Sequence, residues 1–327
     1  MSAAFRMIVR APGGPEAIQR QELDTLPEPG PGEVRIRNTA IGLNFIDVYH
    51  RSGLYPLPYP AGLGREAAGV IDAMGPDVTG WSSGDRVGYL FAASGTYATH
   101  SLASAATLIP LPDSIEDSLA AATMLKGLTA WMLIEKCARV KRGQVVLVHA
   151  AAGGVGSIVV QWLEAIQAVA IGHAGNPEKA KRVHALGASH ALFCPFDTLA
   201  SEVRALTGGA GVAAVLDGVG KDSWQASLDS LARRGVMVTY GNASGPVPPV
   251  APLELSRRGS LVLTRPTLGD FVVDPDERRD GADKLFSMLA SQAIRVDIGQ
   301  RYALADAAEA HRALEARRTI GSTILLP

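Results

Sequence analysis

Val145-Val146-Leu147-Val148-His149-Ala150-Ala151-Ala152-Gly153-Gly154-Val155-Gly156 is the stretch whose reading decides the fold. Its first four residues form an unbroken aliphatic run, the signature of a strand covered on both faces. After the glycines, apolar residues recur at Val155, Ile158, Val159, Trp162 and Ile166, the spacing of one buried helix face. A strand that turns through glycines into a helix presents unpaired backbone N–H groups. The positive helix end then favours an anion such as the pyrophosphate of a dinucleotide. In this reading Gly153 lets the backbone approach the phosphates, Gly154 and Val155 open the helix, and Gly156 lets the helix pack on the sheet. Ala151 stands where the usual G-x-G-x-x-G pattern begins. In a chain with 35 glycines a plain βα turn is the alternative, and the flanking strand and helix favour the nucleotide.

Around this stretch the texture of the chain changes once. Up to about Leu125 it is rich in Gly and Pro, with short alternating pieces such as Glu33–Arg37, Ala68–Ile71 and Asp85–Tyr89. These predict a partly antiparallel, barrel-like domain. From Leu128 helices and strands alternate. A helix over about Leu128–Cys137 precedes the first strand, and a second strand is expected at Val169–Gly172. Asn176 and Pro177 then start a helix as N-cap and first residue. Further buried-type strands fall at Ala213–Asp217 and Val236–Tyr240, with a last one at Ser260–Leu263 after the Pro-rich Gly245–Pro249. This order predicts an α/β fold with a doubly wound parallel sheet. Helices near Ala282–Ala290 and Ala305–Ala316 and a strand at Ser322–Leu326 are expected to return to the first domain. The expected division is 1–124 with 267–327, and 125–266.

Length and charge narrow the function. A chain of 327 residues suits two domains, and a formal charge of −1 argues against a nucleic-acid surface or a polybasic membrane contact. No apolar stretch is long enough to span a bilayer, and Met1–Arg10 carries no cleavage signature. The two cysteines, Cys137 and Cys194, are not spaced as metal ligands. A cytoplasmic protein is expected.

The cofactor type is legible too. An NAD site places a carboxylate about 20 residues past the first glycine, to receive the ribose 2′-hydroxyl. Here that position falls near His173, and no Asp or Glu occurs between Glu164 and Glu178. Lys179, Lys181 and Arg182 follow. A missing carboxylate with a nearby cation suits a 2′-phosphate, so NADPH is expected, with Lys179 as the partner. Lys181 and Arg182 read as an exposed helix face.

Several separated motifs agree with one family. They are Gly42-Leu43-Asn44-Phe45-Ile46-Asp47-Val48-Tyr49, Arg51–Pro56, Gly64-Arg65-Glu66-Ala67-Ala68-Gly69, Gly84–Val87, Lys126-Gly127-Leu128-Thr129, the Ala-rich fingerprint and Tyr240-Gly241-Asn242. With these the chain resembles the zinc-free NADPH:quinone oxidoreductases of the medium-chain dehydrogenase/reductase superfamily, the ζ-crystallin group. The resemblance implies a GroES-like catalytic domain built from both chain ends and a Rossmann domain between them. Zinc alcohol dehydrogenases of this superfamily have Cys at the position of Asn44 and His at that of Arg65. An amide and a guanidinium cannot replace those ligands, so no catalytic zinc is expected. Removing a hydroxyl proton benefits from a metal, whereas a quinone already accepts hydride, so the site fits a reductase.

The resemblance also implies site residues. Asn44, Tyr49 and Tyr55 line the substrate cleft near the nicotinamide, where amide and hydroxyl donors face a developing oxyanion and the rings flank a planar acceptor. Read alone, the two tyrosines are better taken as core residues with satisfied hydroxyls. Thr129 and Lys126 are cofactor contacts near the nicotinamide, a helix-surface position being the alternative for Lys126. Gly241, Asn242, Arg265 and Arg317 face the cofactor, with Gly175 and Val219 along it. Cys194 departs from a Tyr often found beside the 2′-phosphate, and His173 is a candidate to fill that gap. The expected activity is NADPH-dependent reduction of a small planar electrophile such as a quinone, by a homodimer joined through the Rossmann sheet edge around Val247–Leu263. The alternatives are a 2-alkenal or enone reductase and, in another class, a non-catalytic NADPH-binding protein with an RNA-binding or structural role.

Overall fold

A computed structural model of the chain describes residues 4–316 and 318–327. The chain divides into two compact units. One contains Met1–Leu125, Val273–Ala290 and Val296–Pro327, and the other Lys126–Val272 and Ser291–Arg295.

The first unit is built on a seven-stranded sheet. Its order is Ile298–Ala303, Ser322–Leu326, Glu33–Leu43, Glu66–Met74, Arg86–Leu90, Ile109–Pro110, and His100–Ser104 also pairs with Glu33–Leu43. Only the pair Ile298–Ala303 and Ser322–Leu326 is parallel, and the helix Ala307–Glu315 connects it. A smaller sheet sets Phe5–Val9 between Ile18–Glu22 and Ala61–Gly62. Val34, Ile36, Ile41, Ile71, Val87, Tyr89 and Leu325 fill the core. Along Glu33–Leu43 burial first alternates and then becomes continuous from Ala40. The alternation is that of a half-covered strand; the continuous run delivers Asn44 into a covered place.

The second unit is a six-stranded parallel sheet in the order His190–Leu192, Val169–His173, Val145–Val148, Val212–Asp217, Leu231–Thr239, Val262–Thr264. Numbered along the chain this is 3-2-1-4-5-6, the doubly wound order, with its switch point between Val145–Val148 and Val212–Asp217. The elements follow the sequence pattern with shifted ends. The helix expected at about Leu128 starts at Asp117, runs to Trp131 and continues as a π-type stretch over Met132–Cys137. It was underread because Asp117–Trp131 is apolar nearly all round and has no stripe to detect. The helix Gly154–Ala165 buries Ile158, Val159, Val160, Trp162 and Leu163 completely, a wider face than the stripe implies. Asn176 caps Pro177–Ala185, its side chain accepting from the Lys179 N–H at 2.8 Å. No helix is long and apolar enough to cross a membrane among the described residues.

Two glycines hold the turn after Val145–Val148 in shape. A Cβ on Gly156 would lie 2.4 Å from the Ala150 carbonyl and 2.8 Å from Ala151 Cα. One on Gly172, in the neighbouring strand, would lie 3.0 Å from Ala151 Cβ and 2.3 Å from Val183 Cγ1. The methyl group of Ala151 thus occupies room that the neighbouring strand leaves by having no side chain. Ala at a helical position ordinarily gains about 1 kcal/mol over Gly, but overpacking costs about 1–3 kcal/mol. Gly156→Ala is therefore expected to lose stability, read as a lower urea midpoint with an unchanged slope.

Candidate functional site

In the second unit the candidate residues gather at the carboxyl ends of the sheet strands, where doubly wound folds bind ligands. Ala150–Gly156 follows the first strand of the chain order, with Ala150 at φ +48°. Gly153 is the N-cap of Gly154–Ala165 and brings no side-chain cap, so the first-turn N–H groups are not covered by it. His173 ends the second strand and Gly175 and Lys179 follow it, Val219 follows the fourth, Gly241 and Asn242 the fifth, and Arg265 the sixth. Lys126 and Thr129 sit one turn apart on Asp117–Trp131 and are buried, 6% and 9% exposed. The Lys126 stem lies against Gly154, since a Cβ there would stand 3.0 Å from its Cδ and Cε. Lys126 is therefore buried beside the glycine turn and is not a helix-surface lysine.

Buried polar groups hold these strand ends. Asp217 is fully buried; its Oδ1 accepts from the N–H groups of Val219 at 2.8 Å and Gly220 at 3.2 Å. Its Oδ2 accepts from Ser223 and Ser227, both at 2.7 Å. Ser227 Oγ lies 2.9 Å from His149 Nε2, which ties this turn to the first strand end. Burial lowers the His149 pKa to about 4, with Asp217 opposing, so the ring is neutral. His173 is 6% exposed, with Nε2 2.9 Å from the Cys194 carbonyl and its ring against His149 and Phe196. Burial lowers its pKa as well. Arg265 reaches back to the Gly241 carbonyl at 3.1 Å and Thr239 Oγ1 at 3.3 Å. With its amide turned to satisfy both ends, Asn242 donates to Gly241 O and accepts from Arg265 Nη2. Lys179 stands half-buried in the first turn of its helix. Arg317 lies outside the described residues.

In the first unit Asn44 ends Glu33–Leu43 and caps the helix Phe45–Ser52. Its Nδ2 donates to Glu66 Oε1 at 2.7 Å, and Glu66 Oε2 accepts from the Leu125 N–H at 2.7 Å. Glu66 takes one amide hydrogen of Asn44 and fixes how the amide faces, leaving the second hydrogen as a donor. Tyr49 and Tyr55 are half-buried and meet edge to face at 5.1 Å, with Phe45 5.7 Å from Tyr49. These rings form a partly exposed aromatic wall beside Asn44 rather than core. The sequence reading missed Glu66 as a positioning group, although a lone carboxylate beside Ala67-Ala68-Gly69 in a strand is a signal for one. It also missed Asp47. Asp47 Oδ2 accepts from the Asn44 N–H at 2.9 Å and from Tyr97 at 3.2 Å, and Tyr97 contacts His311 Nε2 at 3.1 Å.

The donors at the former ligand positions do not suit zinc. The Asn44 amide is committed to Glu66, and the Arg65 guanidinium donates from Nε to His50 Nδ1 at 3.1 Å. Neither is a thiolate or an imidazole. No group of three or more His, Cys, Asp or Glu is arranged to hold a metal ion among the described residues.

These buried groups set a pH dependence of stability. Burial raises the Asp47 pKa from 3.8 to about 7, against its hydrogen bonds and Arg65. Between those values the folded chain holds a proton that the unfolded chain has lost, so the Asp47 contribution falls as pH rises. Burial lowers His50 and His149 to about 4 and His311 to about 3, from 6.5. Below 6.5 the unfolded chain takes up protons that these rings refuse, so their contribution falls as pH drops. The two effects oppose each other. Asp47→Asn keeps an acceptor for Asn44 and Tyr97 and is expected to steepen the loss of stability from pH 6.5 to 4, measured as the urea midpoint against pH.

Comparisons with known proteins agree with this architecture. Residues 30–113 match the alcohol dehydrogenase GroES-like domain, and residues 154–287 match the zinc-binding dehydrogenase family. A quinone oxidoreductase from Pseudomonas aeruginosa is 47% identical over 325 residues, covering 99% of this chain and 100% of that protein. A 2-haloacrylate reductase from Burkholderia sp is 40% identical, with 98% of each chain covered. The crystal structure of the Escherichia coli quinone oxidoreductase complexed with NADPH superposes with a TM-score of 0.96 at 42% identity, covering 99% of this chain and 100% of that one. With a GroES-like unit, a doubly wound unit and full-length likeness of this order, the chain belongs to the zinc-free quinone oxidoreductase branch of the medium-chain dehydrogenase/reductase superfamily.

Proposed function

We propose that the chain is an NADPH-dependent quinone reductase that works without a catalytic metal. The observation that carries this reading is the amide of Asn44. It is locked by Glu66 with one N–H left to give, at the position where the zinc enzymes of the superfamily hold a ligand. The glycine turn at Ala150–Gly156 fits a dinucleotide, because Gly156 lets the helix close on the Ala150–Ala151 backbone and Gly153 leaves the first-turn N–H groups without a side-chain cap. When bound, NADPH supplies a hydride to the acceptor. The protein binds its phosphates with the first turn of Gly154–Ala165 and with Lys126. Lys179 receives the 2′-phosphate, with no carboxylate between Glu164 and Glu178 to repel it. Gly175, Val219, Gly241, Asn242, Arg265 and Thr129 complete the cofactor contacts. Tyr49 and Tyr55 hold a planar acceptor, and Asn44 donates to the oxygen that gains charge. Solvent supplies the proton that completes the hydroquinone.

A second reading, reduction of an activated C=C bond, is favoured by the full-length likeness to a 2-haloacrylate reductase. The same donor at Asn44 would serve an enolate. The protein is further read as a cytoplasmic homodimer. Val262–Thr264 is an edge strand, and Val262 and Leu253 are 52% and 56% exposed, an apolar rim suited to a second copy.

NADPH oxidation is expected to run faster, per unit kcat/KM, with 1,4-quinones than with α,β-unsaturated carbonyls. The reverse order would establish the alkene reading, and no oxidation despite tight NADPH binding would establish a non-catalytic role. A charge-assisted contact contributes about 1.5–3 kcal/mol, so Lys179→Ala should weaken NADPH at least about tenfold and leave NADH unchanged. Asn44→Ala should lower kcat about 10²-fold, as for loss of one oxyanion donor. Val262→Lys should convert the dimer to a monomer in sedimentation.

A further inference from the structure

The first unit carries a second cluster of cations that the reading above does not use. In Phe5–Val9 the side chains of Phe5, Met7 and Val9 enter the core, 7%, 3% and 0% exposed. Strand alternation therefore puts Arg6 and Ile8 on the opposite face, with Arg10 one step beyond. Arg65, just before Glu66–Met74, lines the same cavity of about 260 Å³, together with Gln21, Leu57 and Pro60.

The partners of these guanidiniums are neutral. Arg6 pairs in register with Gln21, and its Nε donates to Gln21 Oε1 at 2.8 Å. Arg10 Nε donates to Gln19 Oε1 at 3.2 Å. Arg65 Nε donates to His50 Nδ1, a ring that burial and Arg65 itself keep neutral near physiological pH. Glu22, on the neighbouring strand, is paired with Arg20 at 2.7 Å instead. No carboxylate forms an ion pair with Arg6, Arg10 or Arg65 among the described residues. Asp47, the carboxyl that acts most on Arg65, is engaged by Asn44 and Tyr97. Burial disfavours the charged form of Arg65, a cost that an anion in the cavity would offset.

We propose that Arg6, Arg10 and Arg65 form a binding pocket for the carboxylate of a small organic acid. In Arg6 and Arg10 the Nε is tied to a glutamine, and the two terminal nitrogens of a guanidinium form a fork that can take a carboxylate in two parallel hydrogen bonds. Ile8, Leu57 and Pro60 supply apolar wall for a carbon body, which inorganic phosphate lacks. The volume is below the roughly 300–1,000 Å³ of drug-sized ligand sites and suits a small molecule. Binding at this pocket needs neither NADPH nor a hydride acceptor, so its failure and that of the reductase reading are separate.

The test is calorimetric titration of the full chain with succinate at low ionic strength, with inorganic phosphate as the second probe. One saturable succinate site per chain is expected, tighter than phosphate at matched ionic strength. Arg10→Gln, an exposed position outside the core, should weaken succinate at least tenfold, and Arg6→Gln with Arg10→Gln should abolish saturation. No saturable succinate binding, tighter binding of phosphate, or binding unchanged in the double variant would overturn the proposal. A kinetic arm separates two sources of the carboxylate. If the acceptor carries it, succinate competes with a carboxylated quinone. If it belongs to a separate ligand, succinate binds at the same arginines without altering the KM of that quinone.

Discussion

Burying a carboxyl group with no exposure costs several kcal/mol unless its oxygens are hydrogen-bonded. Glu66 meets that condition by joining three parts of the first unit. Its oxygens accept from Asn44, at the end of the long strand Glu33–Leu43, and from the backbone of Leu125 in the following helix. It lies so close to the sheet that a Cβ on Gly42 would stand 2.2 Å from its Oε1. The orientation of Asn44 follows from this bond, and the start of the helix Phe45–Ser52 follows from Asn44. The aromatic wall of Tyr49 and Tyr55 is carried by that helix and the turn after it.

The second unit has a parallel constraint in Asp217. Its four hydrogen bonds fix the turn after Val212–Asp217 and, through Ser227, reach the strand end at His149. Two loops on either side of the switch point are thereby held by one buried anion. In both units a buried carboxylate is spent on geometry, so that a neighbouring backbone or amide group is presented to a ligand.

Much of this was legible in the sequence because it rests on local signals. The aliphatic run, the glycines and the 3.6-residue period specify a strand, a turn and a helix within a short window, and Asn176-Pro177 marks a helix start through capping alone. Asn44 and Arg65 were visible as the wrong donors for zinc from their chemistry. The roles of Glu66, Asp47, Asp217 and His149 were not legible. Glu66 and His149 depend on partners far off in the chain, Leu125 and Ser227, while Asp47 and Asp217 bond mostly to near neighbours in turns and caps that no hydrophobic period announces. The start of the helix at Asp117 escaped for the opposite reason: a helix covered on all sides has no polar face to give it a period.

The sequence by itself determined the alternation of strands and helices, the glycine turn and the absence of an acidic residue after the second strand. These follow from backbone geometry and side-chain type, which a short segment carries with it. Only the tertiary structure decided that Ala151 is tolerated, because the room comes from Gly172 on the adjacent strand. It also turned Lys126 inward onto Gly154 and packed the His173 ring against His149 and Phe196. It gathered Arg6 and Arg10, from one strand and its end, with Arg65, from just before another, around one cavity. Such outcomes depend on which distant atoms share a volume, and that is fixed only when the sheets pair and the core closes.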